Sequence, residues 1–365
     1  MIIGIDGNEA NVAHRVGSGQ YAFNLLQNLS LLDKKNTYYI YLKNPPAADL
    51  PKESSNWHYK ILKPSALWTK VALSFHLLLN PEKLDLFFSP GHYLPLFSSV
   101  KLIPTIHDIG YLKFQDQFTK KDLYQLTNWT QASLKIAHHI VAVSQFTKKE
   151  LIKTYQIPAK KISVIYNGIS LPKAVSPQDK KATLSKFKIK QKYFLAVGTL
   201  KPNKNYSFLI SAFAQFLKKH PHTQLVIAGK KGWLFADIAK TVAKFKLNSQ
   251  VIFTDYISEV EKNALYQQAW ALVLPSTYEG FGIPAIEAQI QKCPVIASSI
   301  APLKEVLQDT ALLINPYKQA TLVSAFEKIL DTKTRRHLIK VGFNNASKFT
   351  WKNSAQNLIS LFNRL

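Results

Sequence analysis

ALVLPSTYEGFGIPAIEA, Ala271 to Ala288, is the stretch on which the fold turns. Four consecutive aliphatic residues, Ala271 to Leu274, read as a strand buried on both faces, the mark of a parallel sheet covered by helices. Ile286, Ala288 and Ile290 then mark a helix. Between the two, Gly280 and Gly282 can take backbone angles closed to other residues, so a tight turn exposes N–H groups at the helix start. Such amides bind phosphate or sugar oxygens without a metal. The order strand, glycine turn, helix puts this turn at the carboxyl end of a strand, where doubly wound sheets hold their ligands. Two carboxylates flank it. An ionised Glu287, eight residues after Glu279, accepts two hydroxyl donors and so suits the vicinal diol of a ribose.

The same alternation runs outward in both directions. Met1 to Ile5, Tyr38 to Leu42, Leu84 to Ser89, Leu102 to Ile106, Ile140 to Ser144 and Ile162 to Ile165 read as one set of strands. Tyr193 to Val197, Gln224 to Ala228, Val251 to Thr254, Ala271 to Leu274, Pro294 to Ala297 and Ala311 to Ile314 read as a second. Helical patterns fill the gaps, one carrying Tyr21, Ala22, Leu25, Leu26, Leu29 and Leu32 on a single face. Thr147 with Glu150, and Ser258 with Glu261, are spaced as capping boxes. SLPKAVSPQDKKATLSKFKIKQ, Ser170 to Gln191, interrupts the rhythm with two prolines and many lysines and reads as a connection. The expectation is α/β: two Rossmann-like, doubly wound parallel-sheet domains facing across a cleft. Their bounds are 1–173 and 174–348, with a last helix, 349–365, returning to the first.

Length agrees, since 365 residues exceed one comfortable core and suit two domains. Cys293 is the only cysteine, so no disulfide forms within the chain. The first residues are apolar without a basic segment before them and read as a strand rather than a signal peptide; no apolar run nears the ~20 residues of a spanning helix. The chain is expected in the cytoplasm. A formal charge of +25 attracts polyanions: nucleic acid, acidic lipid headgroups or phosphorylated substrates. A plain lysine-rich solvated surface explains it equally well. No basic stripe interleaved with aromatics appears, which speaks against nucleic acid. Lys60 to Lys83, KILKPSALWTKVALSFHLLLNPEK, reads either as a core helix or as an amphipathic helix on an anionic membrane surface.

Three further constellations sit at strand ends. Gly17-Ser-Gly-Gln-Tyr21 follows the first strand; Gly17 and Gly19 let the backbone pass close to a ligand. His107, with Asp108 beside it, ends the strand of PTIHDIG, where the acid can orient the ring or raise its basicity. In AVGTLKPNKN, Gly198 permits close approach while Lys201 and Lys204 offer cations to a diphosphate. Asp-x-Asp, the phosphate-binding G-x-x-x-x-G-K-[ST], His-Glu-x-x-His and paired cysteines are all missing. The expected site therefore needs no metal or other cofactor and holds a diphosphate with amides and lysines.

These residues resemble the retaining glycosyltransferases of the GT-B fold, family 4. The likeness spans nearly the whole chain: the turn at Gly17 to Tyr21, TIHD, VSQFTKKEL, VIYNGI, VGTLKPNKN, LVIAG, EGFGIPAIEA and PVIAS. It implies a nucleotide-sugar donor and a saccharide or lipid-linked acceptor, as in envelope polysaccharide synthesis. It also implies roles. Glu279 would face the donor sugar and Glu287 the ribose; amides around Phe281, Gly282 and Ile283 would meet sugar and phosphate oxygens. Lys204 would neutralise the leaving diphosphate, and His107 would contact the donor sugar. Gly17 and Gly19 would lie against donor or acceptor. Asn203 stands where many members carry arginine; Lys201 and Lys230 are the cations at hand. A sugar-nucleotide epimerase of the same fold is the rival reading, and a basic nucleic-acid binder a more distant one.

Overall fold

The computed structural model describes residues 1–230, 232 and 235–365. The chain forms two compact units, Met1–Gly168 with Phe349–Leu365, and Ile169–Lys348. The first unit holds β1 (Ile2–Asp6), β2 (Thr37–Leu42), β3 (Trp57–Ile61), β4 (Leu86–Ser89), β5 (Lys101–Ile106), β6 (Ile140–Ala142) and β7 (Ile162–Val164). They lie in the order β3-β2-β1-β4-β5-β6-β7, every neighbour parallel. The second unit holds β8 (Lys192–Val197), β9 (Thr223–Ala228), β10 (Val251–Phe253), β11 (Ala271–Leu274), β12 (Val295–Ser298) and β13 (Leu312–Ile314), in the parallel order β10-β9-β8-β11-β12-β13. Both sheets are doubly wound. The strand order reverses between β1 and β4 in one and between β8 and β11 in the other, and at such a switch point the loops diverge to leave room for a ligand.

Each strand is as apolar as two covered faces require: β9 and β11 are buried at every position. In the second unit Phe194, Phe213, Phe216 and Phe326 form a fully buried aromatic cluster, with the Phe194 and Phe326 rings 4.4 Å apart. Each such side chain contributes roughly 1.5–3 kcal/mol by leaving water. In the first unit the helix Ser18–Leu32 buries Tyr21, Ala22, Leu25, Leu26 and Leu29, the face its periodicity marks. Against it packs the helix Trp351–Phe362: the Trp351 ring lies 5.8 Å from Tyr21, and Phe362 lies 5.5 Å from Phe88. Gly168 is obligatory at this join, because a Cβ there would stand 2.2 Å from the Trp351 nitrogen.

Four local expectations are corrected. The edge strand β3 was not expected; only Trp57 in it is buried, so its hydrophobic signal is weak. Lys60 to Lys83 is mostly not helix, because Lys60 and Ile61 end β3 and the helix spans only Ala72–Leu79. That helix buries Ala72, Leu73, Ser74 and Leu77, as a core helix does, but leaves Phe75, Leu78 and Leu79 exposed. Thr147 does not begin its helix; Ser144 does, its hydroxyl accepting from the Thr147 amide at 3.0 Å. Within Ser170 to Gln191 the structure has a helix, Pro177–Lys186. Ser176 caps it by accepting from the Asp179 amide, and Pro177 occupies the first turn, where its missing N–H costs nothing. The Ser258–Glu261 capping box is present in full.

Candidate functional site

The residues singled out above fall into two groups, one in each unit. In the second unit they flank the switch point. Gly198, the residue after β8, has φ +149°, and its carbonyl accepts the Tyr206 hydroxyl at 3.1 Å. Gly229, just past β9 and given no role by the sequence, has φ +153°, and a Cβ there would stand 2.1 Å from the Gly198 oxygen. After Lys201 a single turn, Pro202–Lys204, leads to Asn205, whose φ of +58° starts the helix Tyr206–Leu217. Asn205 is anchored by its amide to the carbonyls of Pro275 and Pro316. Asn203 ties this loop to the one after β11: its amide reaches the Tyr278 carbonyl at 3.3 Å, and its own carbonyl accepts the Thr277 amide at 2.9 Å. The residue that breaks the expected charge pattern thus joins two site loops.

Lys204 and Glu279, which the sequence assigned to separate tasks, are brought together. The Lys204 ammonium meets Glu279 Oε1 at 2.7 Å, and the Ser276 hydroxyl donates to the same oxygen at 2.7 Å. Both charged side chains are largely withdrawn from water. Phe281 is buried, and Gly282, with φ +98°, begins the helix Ile283–Ile290. A Cβ at Gly282 would stand 2.4 Å from Leu303 Cδ2, so the turn needs glycine for both angle and space. The helix's first amides have no intrahelical acceptor, and Pro284 has no N–H to leave unpaired.

Glu287, one turn further along, is held by two residues that sequence reasoning passed over. Lys262 meets Oε1 at 2.9 Å and the Tyr266 hydroxyl donates to Oε2 at 3.2 Å. They stand four apart on one face of the helix Glu259–Gln268. That spacing was the available signal. Burial pulls the Lys262 pKa down, but Glu287 and Glu259 carry it above the ordinary value. Burial and the Glu287 charge push the Tyr266 phenol far up, keeping it a donor.

In the first unit, Gly17 precedes the helix Ser18–Leu32 with φ +51°, and a Cβ on Gly19 would stand 2.9 Å from the Glu9 carbonyl. Beside them Asn8, Glu9, His14, Ser18, Gly19 and Lys43 line a cavity of about 340 Å³. Ser18 donates to Glu9 at 2.7 Å. His107 follows β5 at the same end of the sheet. Its Nε2 lies 2.9 Å from the Pro90 carbonyl and its ring stands edge-on to Tyr21 at 4.8 Å. Burial lowers its pKa despite the upward pull of the Pro90 bond, Asp108 and Glu9, so the expected gain in basicity is not realised. Among the described residues no three His, Cys, Asp or Glu side chains gather as a metal site would need.

The model of the family described as Glycosyltransferase Family 4 matches residues 17–172, and that of Glycosyl transferases group 1 matches residues 178–345. The O-antigen chain mannosyltransferase RfbU of Salmonella typhimurium is 32% identical over 259 residues, 70% of this chain and 68% of that one. O-antigen chain mannosyltransferase B of Escherichia coli is 27% identical over 287 residues, 77% and 74% of the two chains. Among solved structures, a sucrose-phosphate synthase from Thermosynechococcus elongatus aligns at a TM-score of 0.77, 21% identity, covering 100% of this chain and 98% of that one. Anabaena HepE, solved with UDP and glucose, aligns at 0.75 and 19%, covering 100% and 99%. At these identities the solved structures speak for the fold alone, the GT-B fold.

Proposed function

We propose that this chain, which belongs to the family 4, group 1 glycosyltransferases, moves a mannosyl group from a nucleoside-diphosphate sugar to a saccharide or lipid-linked acceptor in envelope polysaccharide synthesis. The donor sugar follows the two O-antigen mannosyltransferase relatives; GDP-mannose is the first candidate and a UDP-sugar the second. The observation that carries the mechanism is the Lys204–Glu279–Ser276 cluster beside the glycine turn.

Breaking the bond between the anomeric carbon and the diphosphate leaves positive charge on the ring and an electron pair on the departing oxygen. An ammonium has three N–H donors. Lys204 spends one on Glu279, which fixes its direction, and turns the others to the diphosphate, a preorganised charge needing little rearrangement as the bond breaks. The amides opening the helix Ile283–Ile290 supply further donors. Glu279, steadied by Ser276, accepts from sugar hydroxyls, and Glu287, steadied by Lys262 and Tyr266, from the ribose. The acceptor oxygen then bonds to the anomeric carbon on the face the diphosphate leaves, giving retention, and passes its proton to the departing diphosphate oxygen. Lysines and amides carry the diphosphate charge, so no divalent metal is required.

A peripheral site on the inner face of the cell membrane belongs to the same reading, supported by the outward Phe75, Leu78 and Leu79; flotation with anionic vesicles tests it. The deciding experiment is transfer from GDP-mannose and UDP-sugars to acceptor extracts, with and without EDTA. Anomeric inversion in the product, or loss of turnover in EDTA restored by a divalent ion, refutes the mechanism. Donor consumed without glycosidic product refutes the transfer itself.

A further inference from the structure

His92 was not singled out by any motif, and the mechanism above makes no use of it. It stands in the loop after β4, next to the loop after β5 that carries His107, the two strands being paired in parallel with Ser89 opposite Pro104. Here the sheet's hydrogen bonding runs past the last strand residues. The Thr105 amide donates to the Gly91 carbonyl at 3.2 Å. The next outward donor, the His107 amide, goes to His92 Nε2 at 2.9 Å. A side-chain nitrogen thus stands where a strand would offer a carbonyl. The His92 and His107 rings are stacked, 18° from parallel with centroids 5.8 Å apart.

These contacts fix the protons. A backbone N–H only donates, so His92 Nε2 carries a lone pair and, in the neutral ring, Nδ1 carries the hydrogen. Part of the residue reaches the surface, yet burial and the neighbouring His107 lower the His92 pKa to about 3. The ring is therefore neutral at physiological pH. At His107 the logic inverts: the Pro90 carbonyl only accepts, so Nε2 carries the hydrogen and Nδ1 the lone pair. Tyr21 closes on the ring edge-to-face. The His107 backbone is thus pinned by His92 and its ring by Pro90, His92 and Tyr21.

We propose that His92 is a positioning residue for glycosyl transfer, acting through His107: by accepting the His107 amide and stacking on its ring it holds the side chain in the one orientation in which the Pro90 carbonyl fixes the Nε2–H tautomer and Nδ1 is presented as a hydrogen-bond acceptor. The ligand group that fits is a hydroxyl of the donor sugar. This rests on the reading of His107 as a donor-sugar contact.

The test joins spectroscopy with kinetics. With 15N-labelled histidine and assignment by His→Gln variants, long-range 1H–15N spectra of the full chain should show His107 protonated on Nε2 and His92 on Nδ1. Finding His107 protonated on Nδ1 overturns the proposal without any assay of turnover. In kinetics, His92→Gln keeps an acceptor near the Nε2 position and should retain most activity. His92→Phe keeps a stacked ring but offers no acceptor, and should lower kcat/KM for the donor about 10- to 100-fold, the scale of a misplaced contact. Affinity for the free nucleoside diphosphate should not change. The His92→Phe/His107→Ala protein should be no worse than His107→Ala alone, because His92 acts through His107. A further loss in the double variant, or full activity of His92→Phe beside an impaired His107→Ala, overturns the inference alone. A His107→Ala protein as active as its parent overturns the donor-sugar reading and the inference with it.

Discussion

Replacing Lys204 by methionine separates folding from catalysis more cleanly than any other change in the second unit. The side chains of Lys204 and Glu279 are 16% and 11% exposed, and their charged atoms are 2.7 Å apart. Removing one partner of a fully buried pair costs about 3–5 kcal/mol, mainly because the other charge is left uncompensated. Here Glu279 keeps the Ser276 hydroxyl and some access to water, which brings the expected loss to about 2 kcal/mol. For a unit of this size that is a fall in Tm of about 4–8 °C. Lys204→Met/Glu279→Gln removes both charges and should regain most of that loss in differential scanning calorimetry. Turnover should behave otherwise. Losing one preorganised charge at the leaving group costs about 10²–10³ in kcat, and the double variant should stay as slow as the single one. Activity rising together with Tm in the double variant would make Lys204 a structural lysine and refute the reasoning. Unaltered melting of the single variant would refute the ion pair.

Glu287→Ala should weaken binding of the free nucleotide by about 1–3 kcal/mol, the scale of a charged hydrogen bond; isothermal titration with GDP and UDP reads this directly, and unchanged affinity removes Glu287 from the site. Gly282→Ala forces a side chain into φ +98° against Leu303 and should cost about 1–3 kcal/mol of stability, seen as a lower Tm; equal melting would show that the turn can relax. Burial raises the Asp6 carboxyl to about 6, above its value of about 3.9 in the unfolded chain. Its contribution to stability is therefore full below pH 4 and lost as pH rises through 6. Asp6→Asn, which can still accept from Asn8, should melt above its parent at pH 7.5 with the gap closing toward pH 4; a gap independent of pH counts against the shifted carboxyl.

Most of the fold could be read because strands covered on both faces leave an aliphatic run that little else imitates. Ala271–Leu274 is of this kind. β3 is not, since its outer residues face water and its pattern fades. Proline misled at Pro177, where it was read as an interruption and instead opens a helix capped by Ser176. In the site, the glycines announced themselves through the turn they permit, and Gly282 meets that demand in angle and space alike. The partners of the carboxylates were harder to see. Lys204 and Glu279 are seventy-five residues apart and meet only because β8 and β11 are neighbours in the sheet. Lys262 and Tyr266 sit on a helix whose cap was legible, but which face of it would reach Glu287 depends on packing. His92 carried no signal in its own stretch, for its importance lies in a nitrogen standing in for a carbonyl beside another strand.

The chain leaves its first unit at Gly168 and re-enters it at Phe349. A ribosome making this protein thus delivers all of β1 to β7 with one flank of the first unit still bare. The helix that completes it, Trp351–Phe362, arrives only after every residue of the second unit has been made, roughly 10–35 s later at ordinary elongation rates. During that interval Tyr21 and Phe88 lack the Trp351 and Phe362 rings that later pack on them. The nascent first unit therefore keeps this apolar flank uncovered until the second unit has been made, and its core is completed only when the helix Trp351–Phe362 follows.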